Sequence, residues 1–150
     1  MRAIILFLSA VLAAGPAAAS GGFSCSAEDD AVTISINGGV THGMGSPVFS
    51  LKGEIEIRDD AVSGDLRKTD FERAHLAQYW LDASELRLVL YREREGDRSH
   101  GYVQLTVKTA SKDNGTTTGD YALEVFDMAG AVDSEGKTAS FDGKVTCSVE

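Results

Sequence analysis

Two side chains in a glycine-rich segment have the chemistry of a soft-metal site. His42 and Met44 are separated by one residue within segment 37–47, which contains four glycines. Imidazole and thioether together favour Cu(I), because soft sulfur ligands select a soft ion. A mononuclear site needs at least one further ligand, and the only other methionine after Met1 is Met128. Copper binding is therefore an alternative interpretation, and we favour a loop that joins two strands and uses its glycines to reach positive φ.

Arginine, histidine and tyrosine side chains are concentrated in segment 91–102, which reads as a hairpin. Arg and Tyr carry much of the binding energy at protein interfaces, so this hairpin is a candidate partner-binding loop. We favour a solvated turn, whose opposite charges pair across the strands and protect the sheet edge. The candidate contact residues are Arg92, Arg94, Arg98, His100 and Tyr102.

A tryptophan provides a further candidate contact. Trp80 follows Tyr79 directly, and strand alternation would turn one of the two rings inward and the other outward. An outward Trp80 could stack on a sugar ring or contact a partner, but such a pair more often anchors the core, and we favour core packing.

The patterns expected of a catalytic or zinc site are not found in the sequence. A nucleophilic serine or cysteine needs a histidine that is itself oriented by an acid, and no Gly-x-Ser-x-Gly elbow is present. His42, His75 and His100 are isolated, whereas zinc ligands usually come in local pairs. We therefore expect a non-enzymatic protein without a cofactor, with a small hydrolase of unrecognised site as an alternative.

The first 19 residues have the features of an export signal. Arg2 supplies a positive charge, residues 3–14 are almost entirely apolar, and Ala17–Ala19 offer small residues before the predicted cleavage site. The apolar run is shorter than the roughly 20 residues that a membrane-spanning helix needs. These features predict a signal peptide over 1–19, a single secreted domain over 20–150, and a periplasmic or secreted location.

The two cysteines lie near opposite ends of the predicted domain. Because Cys25 and Cys147 would leave the cytosol on a short chain, we expect them to form one disulfide. Each shares its strand phase with apolar neighbours, which predicts a buried bridge between the first and last strands.

Period-2 alternation of apolar and polar residues runs through most of the predicted domain. This pattern is typical of strands that bury one face and expose the other. It predicts an all-β fold, either an antiparallel sandwich of immunoglobulin-like type or a small barrel, with about seven or eight strands. The inward residues of the alternating runs are Val32, Ile34 and Ile36; Phe49, Leu51, Ile55 and Ile57; Leu86, Leu88 and Leu90; Val103, Leu105 and Val107; Tyr121, Leu123 and Val125; and Phe141, Val145, Cys147 and Val149.

Segment 69–82 departs from this simple alternation. Thr69 and Glu72 match the S/T-x-x-E capping box, which satisfies free N–H groups at the start of a helix. The aromatic pair that follows favours a strand. The sequence leaves both readings open, and we expect at most one short helix near 69–75 followed by a strand from about Leu76.

The composition limits the class of partner. The chain has 14 basic and 23 acidic residues and a formal net charge of −9 at pH 7. This balance disfavours nucleic acid, because nucleic acid binds through cationic patches. The sequence thus predicts an acidic monomer, not inserted in a membrane after signal cleavage, that binds a protein or another envelope component.

Overall fold

The computed structural model describes residues 20–41, 47–82, 85–111, 116–129 and 135–150. Most of these residues lie in strands, and the connections include one turn of α-helix and one 3-10 turn. The strands are β1 (Ser20–Glu28), β2 (Val32–Thr41), β3 (Val48–Ile57), β4 (Lys68–Glu72), β5 (Leu76–Asp82), β6 (Glu85–Glu93), β7 (Gly101–Ser111), β8 (Thr116–Asp127) and β9 (Lys137–Val149). The α-helical turn α1 spans Gly64–Arg67, and the 3-10 turn spans Arg73–His75.

The strands form one antiparallel, barrel-like sheet that is nearly closed. The strand order is β4-β3-β2-β1-β9-β8-β7-β6-β5, so each strand lies beside its sequence neighbour and β1 pairs with β9. Strands β4 and β5 are the two edges of the sheet. They follow each other along the chain but are not paired with each other in the part of the chain that the structure describes. The predicted all-β antiparallel fold is confirmed. Of the two predicted architectures, a sandwich and a small barrel, the sheet has the barrel-like form.

Strands β4 and β5 together occupy one position in this sheet. Because every pairing from β4 round to β5 is antiparallel, the two strands run in the same direction. Strand β4 pairs with residues 52–56 of β3, and strand β5 pairs with residues 85–90 of β6. The nine strands therefore fill eight positions, one of which is a strand interrupted by the 3-10 turn.

The interior of the sheet is filled by most of the apolar side chains that alternation turns inward. The prediction is wrong for Phe49, which is 56% exposed while Val48 is buried, because the register of β2 with β3 shifts between Gly39 and Val40. The core contains buried apolar residues from every strand, β1 to β9. Cys25 and Cys147 lie directly opposite each other on β1 and β9, with their Sγ atoms 2.06 Å apart, so the predicted pair is at disulfide distance. The largest fully buried side chains include Ile34, Ile36, Ile55, Phe71, Leu88, Leu90, Leu105, Tyr121 and Leu123.

Residues 69–72 are a strand and not the start of a helix. Thr69 and Phe71 are buried in β4, while Asp70 and Glu72 are exposed. Pairing with β3 therefore overrides the local helix signal. A reciprocal capping box does form three positions later, where the Glu72 N–H donates to His75 Nδ1 at 2.9 Å across the 3-10 turn. The strand expected from about Leu76 begins at that residue.

The connection from β3 to β4 packs over one end of the sheet. Val62 and Leu66 from this connection are buried in the main core. No helix in the described part of the chain is both long and apolar enough to cross a membrane.

Candidate functional site

A buried arginine organises the end of the sheet that segment 58–67 covers. The Arg94 side chain is only 5% exposed and forms ion pairs with two carboxylates. Its Nε lies 2.7 Å from Asp65 Oδ2, and its Nη1 lies 2.8 Å from Asp127 Oδ1. Nη1 also donates to the Ser99 carbonyl at 2.8 Å. We call Ser63, Asp65, Arg94 and Asp127 the Arg94 network.

Hydrogen bonds in this network stabilise the charged forms of its members. Asp127 accepts from Arg94, from the Ser63 hydroxyl and from the Ala129 N–H at 2.7 Å. The Arg94 hydrogen bond outweighs burial and lowers the pKa of Asp127 to about 2. The same bond raises the pKa of Arg94. The network therefore ties segment 58–67 to the ends of β6 and β8.

The structure separates the arginines that the sequence grouped as candidate contacts. Arg94 points into the network, so its guanidinium is not available to a partner in this conformation. Arg92 donates from Nη1 to the Asp70 carbonyl at 2.5 Å and pairs with Glu95. Only Arg98 keeps a largely exposed side chain, and it pairs with Asp65 at 3.0 Å. The sequence contains a signal for the inward direction of Arg92 and Arg94, because the two residues continue the period-2 series of Leu88 and Leu90.

Four ring-bearing residues form a cluster on the outer face of β6, β7 and β8. Tyr102 and Phe126 are register partners whose rings stack with centroids 5.4 Å apart. Tyr91 lies 5.3 Å from Tyr102 on one side, and His100 lies 5.7 Å from Phe126 on the other. Of the predicted contact residues, the structure thus brings His100 and Tyr102 together. We call Tyr91, His100, Tyr102 and Phe126 the aromatic cluster.

The tyrosines of this cluster donate hydrogen bonds to neighbouring carboxylates. Tyr102 Oη lies 2.5 Å from Glu124 Oε1, and Tyr91 Oη lies 2.8 Å from Glu93 Oε1. Burial, together with the Glu93 hydrogen bond, raises the pKa of Tyr91 to about 12. Both phenols therefore remain neutral donors at physiological pH, and their hydroxyls are engaged within the protein.

Trp80 projects outward from edge strand β5 and is 58% exposed. Its neighbour Tyr79 turns the other way and packs against the core, as alternation predicted for the pair. Trp80 is paired in register with Arg87 on β6, and Arg87 is paired with Lys108 on β7. In the next row, Gln78 is paired with Val89, and Val89 with Thr106. These six side chains line one shallow groove on the outer face, which we call the Trp80 groove: Gln78, Trp80, Arg87, Val89, Thr106 and Lys108.

The groove combines an aromatic ring, an apolar floor and a cationic rim. Val89 lies at its centre and is half-buried, while Arg87 and Lys108 are exposed. Arg87 pairs with Glu85 through one nitrogen at 3.1 Å. Lys108 forms no ion pair with the described residues, and its register partner Asp120 bonds Lys144 at 2.5 Å. Sequence reasoning identified Trp80 but not these neighbours, because the strand register that assembles them is a long-range property.

Two sequence-predicted ligands cannot be placed. His42 and Met44 lie outside the described residues. Within the ranges that the structure describes, no group of three or more His, Cys, Asp or Glu side chains could hold a metal ion.

Comparison of the chain with protein-family models, with curated proteins and with solved structures gave no significant match.

Proposed function

We propose that this protein is an exported, non-enzymatic binding module for a protein or another envelope component, and that it binds through the outer face of β5 to β8. The observation that carries the proposal is the exposure of Trp80 above a groove with polar and cationic side chains. A ring of this size is usually buried in a monomer, and tryptophan is the residue most enriched at binding hot spots.

The fold supports this use of the surface. The sheet interior is filled by side chains, so the outer face is where a partner can be contacted. The aromatic cluster lies on the same face, on strands β6 to β8 that follow β5 in the sheet, and contributes further apolar area. The Arg94 network ties segment 58–67 to the ends of β6 and β8, the strands that carry Tyr91 and Phe126 of the aromatic cluster.

A matched pair of variants tests the proposal. Phe49 is 56% exposed on β3, on a different part of the outer face, and serves as the control for Trp80. The disulfide-bonded protein, immobilised as wild type, Trp80→Ala or Phe49→Ala, is incubated with envelope extract of the source cells, and retained components are quantified by mass.

We expect a component that wild type and Phe49→Ala retain equally and that Trp80→Ala retains at least roughly tenfold less, since a hot-spot residue contributes about 2 kcal/mol or more. Equal retention by all three proteins, or a loss shared by both variants, would contradict the proposal.

A further inference from the structure

We propose that the Trp80 groove is a binding site for a short acidic saccharide, with Trp80 as the stacking surface and Lys108 and Arg87 as the partners of the acidic group. This inference rests on the proposed function and specifies the ligand class of the same surface. It follows from three features of the groove: the exposure of the Trp80 ring, the polar rim and the two cationic side chains.

Trp80 provides a surface for a sugar ring. The face of an aromatic ring carries partial negative charge and attracts the positive edges of C–H bonds. Sugars present such C–H bonds on one face of the pyranose ring and hydroxyls around its rim. Because Trp80 stands at the edge of the sheet beside half-buried Val89, a ring stacked on it would also cover the apolar floor of the groove.

The rim supplies partners for hydroxyl groups at suitable positions. The Gln78 amide and the Thr106 hydroxyl can each donate and accept a hydrogen bond, as sugar hydroxyls require. They lie in the row next to Trp80 and Lys108, on β5 and β7 respectively. Neighbouring strands are about 4.8 Å apart, so the groove extends about 10 Å from Trp80 to Lys108.

The charge of the groove selects an acidic ligand. None of its six side chains is a carboxylate, although the chain as a whole has a net charge of −9. Asp120, the register partner of Lys108, bonds Lys144, and Lys108 forms no ion pair with the described residues. Arg87 keeps guanidinium N–H donors beyond the one that contacts Glu85.

The same charges argue against a long polyanion. Nucleic acid is held by many simultaneous phosphate contacts, whereas the groove offers two cations on an acidic protein. A ligand of one to three rings with an acidic group on one of them fits the size and the charge of the groove.

The test is calorimetric titration of the exported, disulfide-bonded protein with trigalacturonate, with a sulfated trisaccharide and with the methyl ester of trigalacturonate. We expect at least one acidic trisaccharide to bind, and the ester to bind at least about tenfold more weakly. Trp80→Ala should weaken binding about thirtyfold, as for a hot spot. Lys108→Gln should weaken the acidic ligand about tenfold and abolish its advantage over the ester.

Phe49→Ala and Lys52→Gln are the matched controls, because they remove an exposed ring and an exposed cation on β3. Binding that these controls reduce as much as Trp80→Ala and Lys108→Gln would overturn the inference. The inference would also be overturned if the ester or an eight-nucleotide oligothymidylate bound more tightly than the acidic trisaccharides, or if neither acidic trisaccharide bound. If the saccharides fail but an envelope component still depends on Trp80, the saccharide inference is wrong and the proposed function stands.

Discussion

At the scale of single residues, the side chains of this protein divide by strand phase into two roles. Arg92 and Arg94 follow the inward phase of β6 and bind groups of the protein itself. Trp80 and Lys108 follow the outward phase and leave their functional groups exposed. The contact residues predicted from the sequence therefore do not form one surface. Those that can contact a ligand are the ones on the outer face.

Asp127 should make stability depend on acid pH. Its pKa is about 2 in the folded protein, below its ordinary value near 3.8, so its contribution to stability is present above about pH 4. As the pH falls from about 4 to about 2, the unfolded chain binds the proton first and this contribution is lost. The shift corresponds to about 2 kcal/mol, and the side chain is only 13% exposed.

Urea denaturation of wild type and Asp127→Asn at several pH values measures this effect. We expect the difference in unfolding free energy between the two to be largest above pH 4 and to shrink towards pH 2. Asp120→Asn is the control, because Asp120 forms an exposed pair with Lys144 that is worth under about 1 kcal/mol. A difference for Asp127→Asn that does not change with pH would show that Arg94 and Asp127 are not coupled as the structure indicates.

At the scale of elements, the interruption between β4 and β5 is compensated by arginine side chains. Residues 91–93 of β6 extend beyond the segment that β5 pairs with, and there Arg92 bonds the carbonyl of Asp70 on β4. Residues 48–51 of β3 extend beyond β4, and there Arg73 Nε bonds the carbonyl of Val48 at 2.8 Å. The guanidinium groups thus satisfy carbonyls that a continuous strand would have bonded through its backbone.

The sequence predicts most elements but not this interruption, and the reason is physical. Alternation is a local property, so the inward faces of the strands and the phase of Cys25 and Cys147 can be read from the chain. The strand at Thr69 to Glu72 depends on pairing with β3, which the local capping signal does not report. The Trp80 groove depends on the register of three strands, which alternation alone leaves undetermined.

Gly119 should be essential for the packing of β8 against β7. A Cβ at this position would lie 2.0 Å from the Lys108 carbonyl oxygen and 2.6 Å from the Thr109 Cα, both backbone atoms that cannot move as a side chain would. Glycine in a strand often marks such a close approach of another backbone. We expect Gly119→Ala to lower the free energy of unfolding by about 3 kcal/mol, measured by urea denaturation.

Gly64→Ala is the matched control for this substitution. The nearest atom to a Cβ at Gly64 is Arg67 Nη2 at 3.6 Å, an ordinary contact, and the residue lies in the helical turn α1. There the change should leave stability unchanged or raise it by up to about 1 kcal/mol, because alanine restricts the unfolded chain. Equal effects at the two positions would contradict the close approach of β7 and β8.

At the scale of the whole molecule, a short pairing of the first strand with the last, the β1–β9 seam, joins the two halves of the sheet. The pairing of β1 with β9 covers residues 22–26 and 146–150, whereas β8 is paired with β9 along the whole length of β8. This seam joins the two most distant parts of the described chain, so its formation orders a longer loop than any other pairing does. Cys25 and Cys147 lie within this seam, where a covalent bond adds most to closure.

Loss of this bond should therefore destabilise the whole sheet through the unfolded state. The cysteines are 122 residues apart, and the chain-entropy model gives about 5 kcal/mol for a loop of that length. We expect the Cys25→Ser, Cys147→Ser double variant to lose about this free energy of unfolding in urea. Its m-value should rise, because the unfolded chain without the crosslink exposes more surface. Reduced wild type should match the variant. A loss below about 1 kcal/mol with an unchanged m-value would mean that the β1–β9 hydrogen bonds close the sheet by themselves.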